Sequence, residues 1–238
     1  MSTNENFKIG DLILANNHRF IICDKPAGMP VQEDKTGDKS LLSLAEIFCK
    51  TRLHPVNRID RPVKGLVIFA KDGKNATLLS EMLADGRIEK WYLGITRNKP
   101  EKESATLEQW LIHDKKTNKS YIYDTEMPGS KPACLDYNII GSSTNYHYWL
   151  VRLHTGRHHQ IRAQLASLNC TVKGDVKYGD KRANPDKSIS LLAWKLNFIN
   201  PLHPKVTEIS STLPDDALWN HLNENILPVW IAKLSELK

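Results

Sequence analysis

The chain has 238 residues, room for one large domain or two small ones, and its 40% apolar content can form a real core, which excludes a low-complexity chain. With 33 Lys and Arg against 27 Asp and Glu, the formal net charge is +6, an excess that favours a polyanionic partner such as nucleic acid but also suits a generic basic soluble protein. No apolar run approaches the roughly 20 residues that span a bilayer, and the opening MSTNENFKIG lacks the apolar core of a signal peptide, so a cytoplasmic location is expected. The four cysteines, Cys23, Cys49, Cys134 and Cys170, show no metal-knuckle spacing and are expected to stay reduced, in or near the core.

In chain order, Asp11–Asn16 and Arg19–Asp24 read as two short strands around Asn17–His18, a hairpin signature. Lys25–Lys39, rich in Pro, Gly and charge, reads as a loop. Ser40 is placed to cap a helix over Leu41–Thr51. Pro55 and Pro62 bracket an irregular stretch, and the apolar run Gly65–Lys71 reads as a strand buried on both faces. Asp72 caps a predicted helix through Ala84, which Gly86 ends. Strands are predicted over Glu89–Thr96, Ala133–Ile140, Tyr146–Leu153 and Ser190–Phe198. Helices are predicted from about His158 to Leu168, near Asp215–Leu222, and over Pro228–Leu237. There is no internal repeat and no regular βαβ rhythm, so the pattern predicts an α+β chain with a mixed sheet.

Three segments carry chemistry. The first is Asn57-Arg58-Ile59-Asp60-Arg61-Pro62, an Asp between two Arg in a Pro-bounded loop. It is compatible with a surface ion pair in a turn, but the apolar strand behind it would anchor the loop on the core, where functional side chains are often held. The second, Leu153 to Arg162, leads into a helix on which Ile161, Leu165 and Leu168 share a core-facing stripe with Arg162 at its edge. A partly buried guanidinium there needs an acidic or carbonyl partner, or else reaches solvent. His154 and His158 are four apart, but Gly156 and the strand-to-helix change between them argue against a metal pair, and no metal is expected. In the third, Lys90-Trp91-Tyr92, strand alternation puts the two aromatic rings on opposite faces, one toward the core and one toward a cleft.

Together these segments resemble the RluA-type pseudouridine synthases. The family's H-R-L-D motif, with the spacer and apolar strand that follow it, is matched by Asn57 to Lys71. Its K-x-Y strand motif is matched by Lys90 to Tyr92, and T-G-R-x-H-Q-I-R by Thr155 to Arg162. Its G-D-x-x-Y-G is matched by Gly174 to Gly179, and N-K-P-A-G by Asp24 to Gly28. The matches fall in family order over roughly Asp11 to Leu213. The resemblance implies an α+β fold with a mixed, mostly antiparallel central sheet flanked by helices. The whole chain, 1–238, is then one catalytic domain, with 214–238 a C-terminal helical extension whose Trp219 and Trp230 pack on it. Only 24 residues precede Lys25, so the accessory RNA-binding domain of many relatives is not expected, and the catalytic domain should grip RNA largely by itself.

By the same resemblance the activity is isomerisation of uridine to pseudouridine in structured RNA, tRNA or rRNA. Asp60 aligns with the catalytic aspartate, Arg162 with the arginine paired to it, and Tyr92 with the tyrosine that stacks on the uracil and is a candidate base for its C5 proton. Arg58 aligns with an arginine that enters the RNA stack, and Leu153 with an apolar wall of the uracil pocket. Arg157 joins the expected RNA contacts, and Lys64 either adds a phosphate contact or is simply solvated. The chemistry requires no cofactor, and neither a protein partner nor a membrane is implied, so a monomer is expected. Asn57, Lys64 and Gln164 stand where the family usually has His, Ser and, two residues after the paired arginine, His.

Overall fold

The computed structural model describes residues 8–199 and 207–236, with side chains to residue 232. The first seven residues of the opening segment and the predicted helix end at Leu237 lie outside the described residues. Among the described residues no helix is long and apolar enough to cross a membrane.

The chain opens with a 3-10 turn, Ile9–Leu12, where an earlier start of strand was expected, and then forms β1 (Ile13–Asn16) and β2 (Phe20–Lys25), paired antiparallel. The Asn17 side chain accepts from the Arg19 and Phe20 amides and closes the turn, as Asn does when its short side chain mimics backbone. Helix α1 (Leu41–Cys49) starts at Ser40, whose hydroxyl accepts from the Ser43 amide, and stops where Lys50 turns left-handed at φ 52°. A two-residue strand β3 (His54–Pro55) and then β4 (Lys64–Ala70) follow. Helix α2 (Gly73–Ala84) is capped by Asp72. The remaining strands are β5 (Ile88–Thr96), β6 (Ser104–Asp114), β7 (Lys119–Tyr123), β8 (Lys131–Ser142), β9 (His147–Leu153), β10 (Leu191–Phe198) and β11 (Glu208–Ser210). Helix α3 (Gln160–Ser167) lies between β9 and β10, and α4 (Ala217–His221) runs through a π-helical stretch, Leu222–Ile226, into α5 (Leu227–Glu236).

These strands form one mixed sheet in the order β1-β2-β4-β10-β5-β9-β8-β6-β7, with β11 beside β10 and β3 beside β4. Among the described residues every strand pairing is antiparallel except β4–β10. The α+β expectation holds. The apolar run expected to be buried on both faces is so: Val67 and Phe69 join the core shared with Ile161, Leu165 and Trp149, while Leu66 and Ile68 pack with Leu79 and Met82 of α2. A third cluster, Leu93, Ile95, Tyr148, Leu150 and Leu192, is covered by Trp219, Leu222 and Leu227, with Trp230 partly buried against it. The C-terminal helices therefore pack on the sheet, as their tryptophans suggested. Cys23 and Cys170 are buried, Cys49 and Cys134 half-buried, and all four are free thiols.

The hairpin β6–β7 was not legible in the sequence. Along β6, Ala105, Leu107 and Gln109 are only half-buried, and of the residues paired in the hairpin itself Leu111 and the polar Ser120 are the buried ones, so little apolar periodicity marks it.

One constraint sits at the parallel seam. Gly65 adopts φ +129°, and a Cβ on it would stand 2.7 Å from the Ala193 amide nitrogen and closer still to the Ala193 carbonyl oxygen. Only Gly allows β4 and β10 to meet there. Immediately beyond, a bulge at Ala193–Lys195 shifts the β10–β5 register beside Tyr92. Gly65→Ala should therefore lower unfolding free energy by about 2–4 kcal/mol, read from urea titration, whereas Gly86→Ala, whose Cβ position is open, should be felt only through its φ of +81°.

Candidate active site

Asp60 sits in the turn between β3 and β4, and five hydrogen bonds shape that turn. The Val63 amide donates to the Asp60 carbonyl at 3.0 Å, closing a β-turn. Asn57 reaches β4 twice, accepting from the Ile68 amide at 2.7 Å and donating to the Leu66 carbonyl at 3.2 Å. The Arg61 carbonyl accepts from the Gly28 amide at 2.8 Å and from Lys25 Nζ at 3.1 Å. Lys25, fully buried, also donates to the carbonyls of Pro26 and Met29, so its three N–H groups are spent on the loops around Asp60. Burial pushes its ammonium down to about 7, with Asp60 acting in the opposite sense.

The two arginines flanking Asp60 are not its partners. Arg61 turns away to Asp34, at 3.0 Å, and to Asp38, tethering the loop before α1. Arg58 is exposed at the cleft and forms no ion pair among the described residues. The partner of Asp60 is Arg162, whose Nη1 donates to Asp60 Oδ2 at 2.9 Å. The same guanidinium grips Asp175 through Nε at 2.6 Å and Nη2 at 2.9 Å, a forked pair. Arg162 was expected at the edge of the α3 stripe; it is buried at 4%, because Gln160 through Leu165 are all buried and α3 has no solvent face there. Burial opposes the charge of Arg162, but the hydrogen bonds and charges of Asp175 and Asp60 outweigh it and raise the guanidinium above its ordinary value. Asp175 is 2% exposed, whereas Asp60 keeps 22% of its side chain open to the cleft. One carboxylate is thus structural and the other presented.

The cleft over Asp60, of about 1150 Å³, is walled by Tyr92 and Lys90 from β5, Leu153 from β9, and Arg157 and His158 from the segment before α3. Lys90 and Tyr92 share a strand face, and Trp91 points the other way, under the Arg152 guanidinium. Burial, reinforced by Asp60, raises the Tyr92 phenol and keeps it protonated. Lys90 is 9% exposed, and burial together with Arg157 pushes its ammonium down to about 8. Neither Lys90 nor Arg157 has a carboxylate partner among the described residues, although Arg157 Nε donates to the Pro132 carbonyl at 2.9 Å. At its floor the cleft presents the Asp60 carboxylate, and its wall carries cations without acidic partners among the described residues, Arg58, Lys90, Arg157 and Lys177 among them.

Behind Asp60 stands a column of imidazoles. His159, at the left-handed φ of 52° that begins α3, places Nε2 3.8 Å from Asp60 Oδ2. Its ring stacks on His158, and His158 stacks on His113 of β6, each pair with centroids 3.7 Å apart. His159 Nδ1 lies 3.1 Å from the Tyr178 hydroxyl, which accepts the Ser120 amide of β7 at 2.8 Å. The Tyr178 hydroxyl in turn donates to the Ser120 carbonyl at 3.3 Å. Burial first, then neighbouring positive charge, lowers His158 to about 4 and His159 to about 2, so both rings are neutral at physiological pH.

Of the residues singled out in the sequence, Asp60, Tyr92, Arg162, Arg58, Leu153 and Arg157 come together at this cleft. Lys64 does not. Its ammonium is held by Asp24 at 2.7 Å, by both the hydroxyl and the carbonyl of Thr212, and by Ser211, away from the cleft, so it is not simply solvated. Sequence reasoning assigned no role to Asp175, Lys25, Lys90, His159 or Tyr178. All five stand inside the quoted motifs, and an acid at 175 within a Gly-bounded loop was the available sign of a second partner for Arg162.

A family described as RNA pseudouridylate synthase matches residues 19–167 of the chain. A tRNA pseudouridine synthase C of Haemophilus ducreyi is 28% identical over 88% of this chain and 93% of its own length. A ribosomal large subunit pseudouridine synthase D of Nitrosomonas europaea is 30% identical over 86% of this chain, which spans 62% of that protein. The solved structure of human RNA pseudouridylate synthase domain containing 4 superposes with a TM-score of 0.68 over 90% of this chain and 94% of its own, at 21% identity, a likeness of fold.

Two outcomes follow from the geometry. Arg162→Met leaves the buried Asp175 and the half-open Asp60 without a counter-charge and should lower stability by about 3–5 kcal/mol; adding Asp175→Asn should restore part of it, both read by urea unfolding. His158 and His159 bind protons more readily unfolded than folded, so stability should fall as pH drops from about 6.5, toward 4 for His158 and toward 2 for His159, and be insensitive to these rings above that window. His158→Phe, which keeps a stacking ring and cannot titrate, should flatten that slope in unfolding curves taken at pH 4.5, 5.5 and 7.

Proposed function

Because the chain belongs to the RluA-type branch of the RNA pseudouridylate synthase family, we propose that it converts specific uridines to pseudouridine in structured RNA, with Asp60 as the reacting carboxylate. The observation that carries this reading is the asymmetric pairing of Arg162: Asp175 is sealed, and Asp60, gripped at 2.9 Å, is the carboxylate left open to the cleft.

The chemistry explains the rest of the wall. The C1′–N1 bond breaks, the uracil turns, C1′–C5 forms, C5 loses a proton and N1 gains one. The product is an isomer, and the overall change is redox-neutral. Asp60 acts at the sugar, at C1′ as nucleophile or at the 2′ proton as base. The detached uracil must stay in place while it turns, and Tyr92 and Leu153 supply flat and apolar walls for it. The neutral phenol of Tyr92 stacks on the ring, and it can take the C5 proton only while passing on its own.

A uridine in a helix reaches this depth only when flipped out of the stack, at a cost of a few kcal/mol. Arg58, exposed at the rim, is placed to fill the space the base leaves, and Lys90 and Arg157 are cations suited to the phosphates of the displaced nucleotide. Relatives named for tRNA and for large-subunit rRNA both fit this description, so the substrate is drawn from those two classes. The four free thiols accord with action in the reducing cytoplasm.

Pseudouridine mapping of total RNA from cells with and without the gene tests the reading: one or a few positions should lose pseudouridine when the gene is absent. Asp60→Asn should fold, bind that RNA within about tenfold of wild type, about 1.4 kcal/mol, and form no product. If wild type forms no pseudouridine while both proteins bind RNA equally, the chain is a binder and the enzymatic reading falls. Tyr92→Phe should bind normally and slow product formation, whereas Tyr92→Ala should weaken binding as well, since stacking on a base contributes about 1–3 kcal/mol; identical kinetics for the two variants would remove Tyr92 from proton transfer.

A further inference from the structure

The imidazole column does not end at the cleft. Its innermost ring, His159, is buried beside Asp60; the middle ring, His158, lines the cleft; and the outermost, His113, is an exposed residue of β6. The two centroid spacings of 3.7 Å are close to the separation of stacked bases, and the interplanar angles of 23° and 26° leave the three rings nearly parallel. Because the inner rings are neutral, the column offers π-faces without a repulsive charge between them.

The outer ring is also held in place. His113 Nε2 lies 3.2 Å from the Asn118 side-chain oxygen, and Asn118 is the left-handed residue, φ 49°, of the β6–β7 turn. Lys177 donates to the carbonyl of Asn118 at 3.0 Å, and the Tyr178 hydroxyl takes the Ser120 amide, so the hairpin is fastened to the wall of the cleft rather than waving above it. The turn carries Lys115 and Lys116, both exposed and neither in an ion pair among the described residues. A fixed aromatic face flanked by free cations is the combination that takes a nucleobase with its phosphates.

We propose that His113 is a nucleobase-stacking subsite, on which an unpaired base next to the flipped nucleotide extends the column outward from the cleft. The proposal rests on the reading that the cleft receives an RNA nucleotide. The stacked base is unpaired, because a base inside a duplex has both faces occupied. The subsite reads no sequence, since every base has a π-face; it favours RNA in which the target uridine lies in a loop or bulge. His113 touches none of the reacting atoms and acts on affinity alone.

The test uses the full chain with labelled histidines and the single-stranded pentamer AAUAA as probe, and needs no turnover. In NMR titration the His113 ring signals should move upfield further than those of any other of the nine histidines. By fluorescence anisotropy, His113→Ala should weaken pentamer binding at least about fivefold, about 1 kcal/mol, and His113→Phe should stay within about twofold of wild type. Should His113→Ala perturb the fold, the wild-type titration and the Phe variant still decide. Binding with the His113 signals unmoved, equal affinity of His113→Ala and wild type, loss of affinity in His113→Phe as large as in His113→Ala, or no binding of the pentamer by wild type would each overturn the subsite. Pseudouridine mapping with the wild-type gene separates the two readings. Product formed with His113 silent removes the subsite alone. No product removes the enzymatic reading, and the titration still rules on the subsite.

Discussion

A single buried guanidinium organises this molecule. An uncompensated arginine in a protein interior is strongly unfavourable, and Arg162 is tolerated only because two carboxylates from distant parts of the chain converge on it. That requirement reaches outward. Helix α3 must be sunk among the strands to bring the guanidinium inside. The loop between α3 and β10 must fold back through the Val172, Asp175 and Tyr178 turns to deliver Asp175. The turn before β4 must be held so firmly that Asp60 cannot swing out, hence the buried Lys25 and the double bond of Asn57 to β4. One guanidinium serves both the fold and the cleft: its Nε and Nη2 satisfy the buried Asp175, and Nη1 holds the Asp60 carboxylate that is open to the cleft.

Much of this was legible in the sequence, and the pattern of what was not is instructive. Elements carried by local chemistry were placed to within a few residues: the Ser40 and Asp72 caps, the Asn17 turn, the doubly buried β4 and the strand carrying Tyr92. The hairpin β6–β7 escaped because half-buried strands need little apolar alternation. Arg162 and Asp60 were paired only through family resemblance; periodicity alone left the guanidinium at a helix edge with no partner. The second partner, Asp175, was missed because a carboxylate 13 positions on in a loop has no periodic signature. The partners of Lys64 were illegible for the same reason: Asp24, Ser211 and Thr212 lie 40 to 148 positions away in the chain.

The departures from the family pattern are accounted for by hydrogen bonding. Asn57, where His is usual, still supplies one acceptor and one donor to β4. Gln164, also in place of His, is fully buried and meets Leu107, Gln109, Ala133 and Gln160 with its amide. Each keeps a short polar bridge between the segment that bears a cleft residue and the sheet behind it. Asn57 also lines the cleft, whereas Gln164 lies behind it.

The position of β10 has a consequence for how the protein comes into being. Strands β4 and β5 are successive in the chain, yet they are not neighbours in the sheet; β10, made after most of the other strands, slots between them, parallel to one and antiparallel to the other. Until β10 is made, the edge of β5 that faces it has no strand partner, that of β4 has only the two-residue β3 near Phe69 and Ala70, and the seam at Gly65 cannot close. The nascent protein therefore carries an open β5 edge and a partly open β4 edge until β10 arrives, a template for intermolecular pairing. Folding waits on a long-range insertion rather than on local hairpins, which places it among slow, high-contact-order proteins.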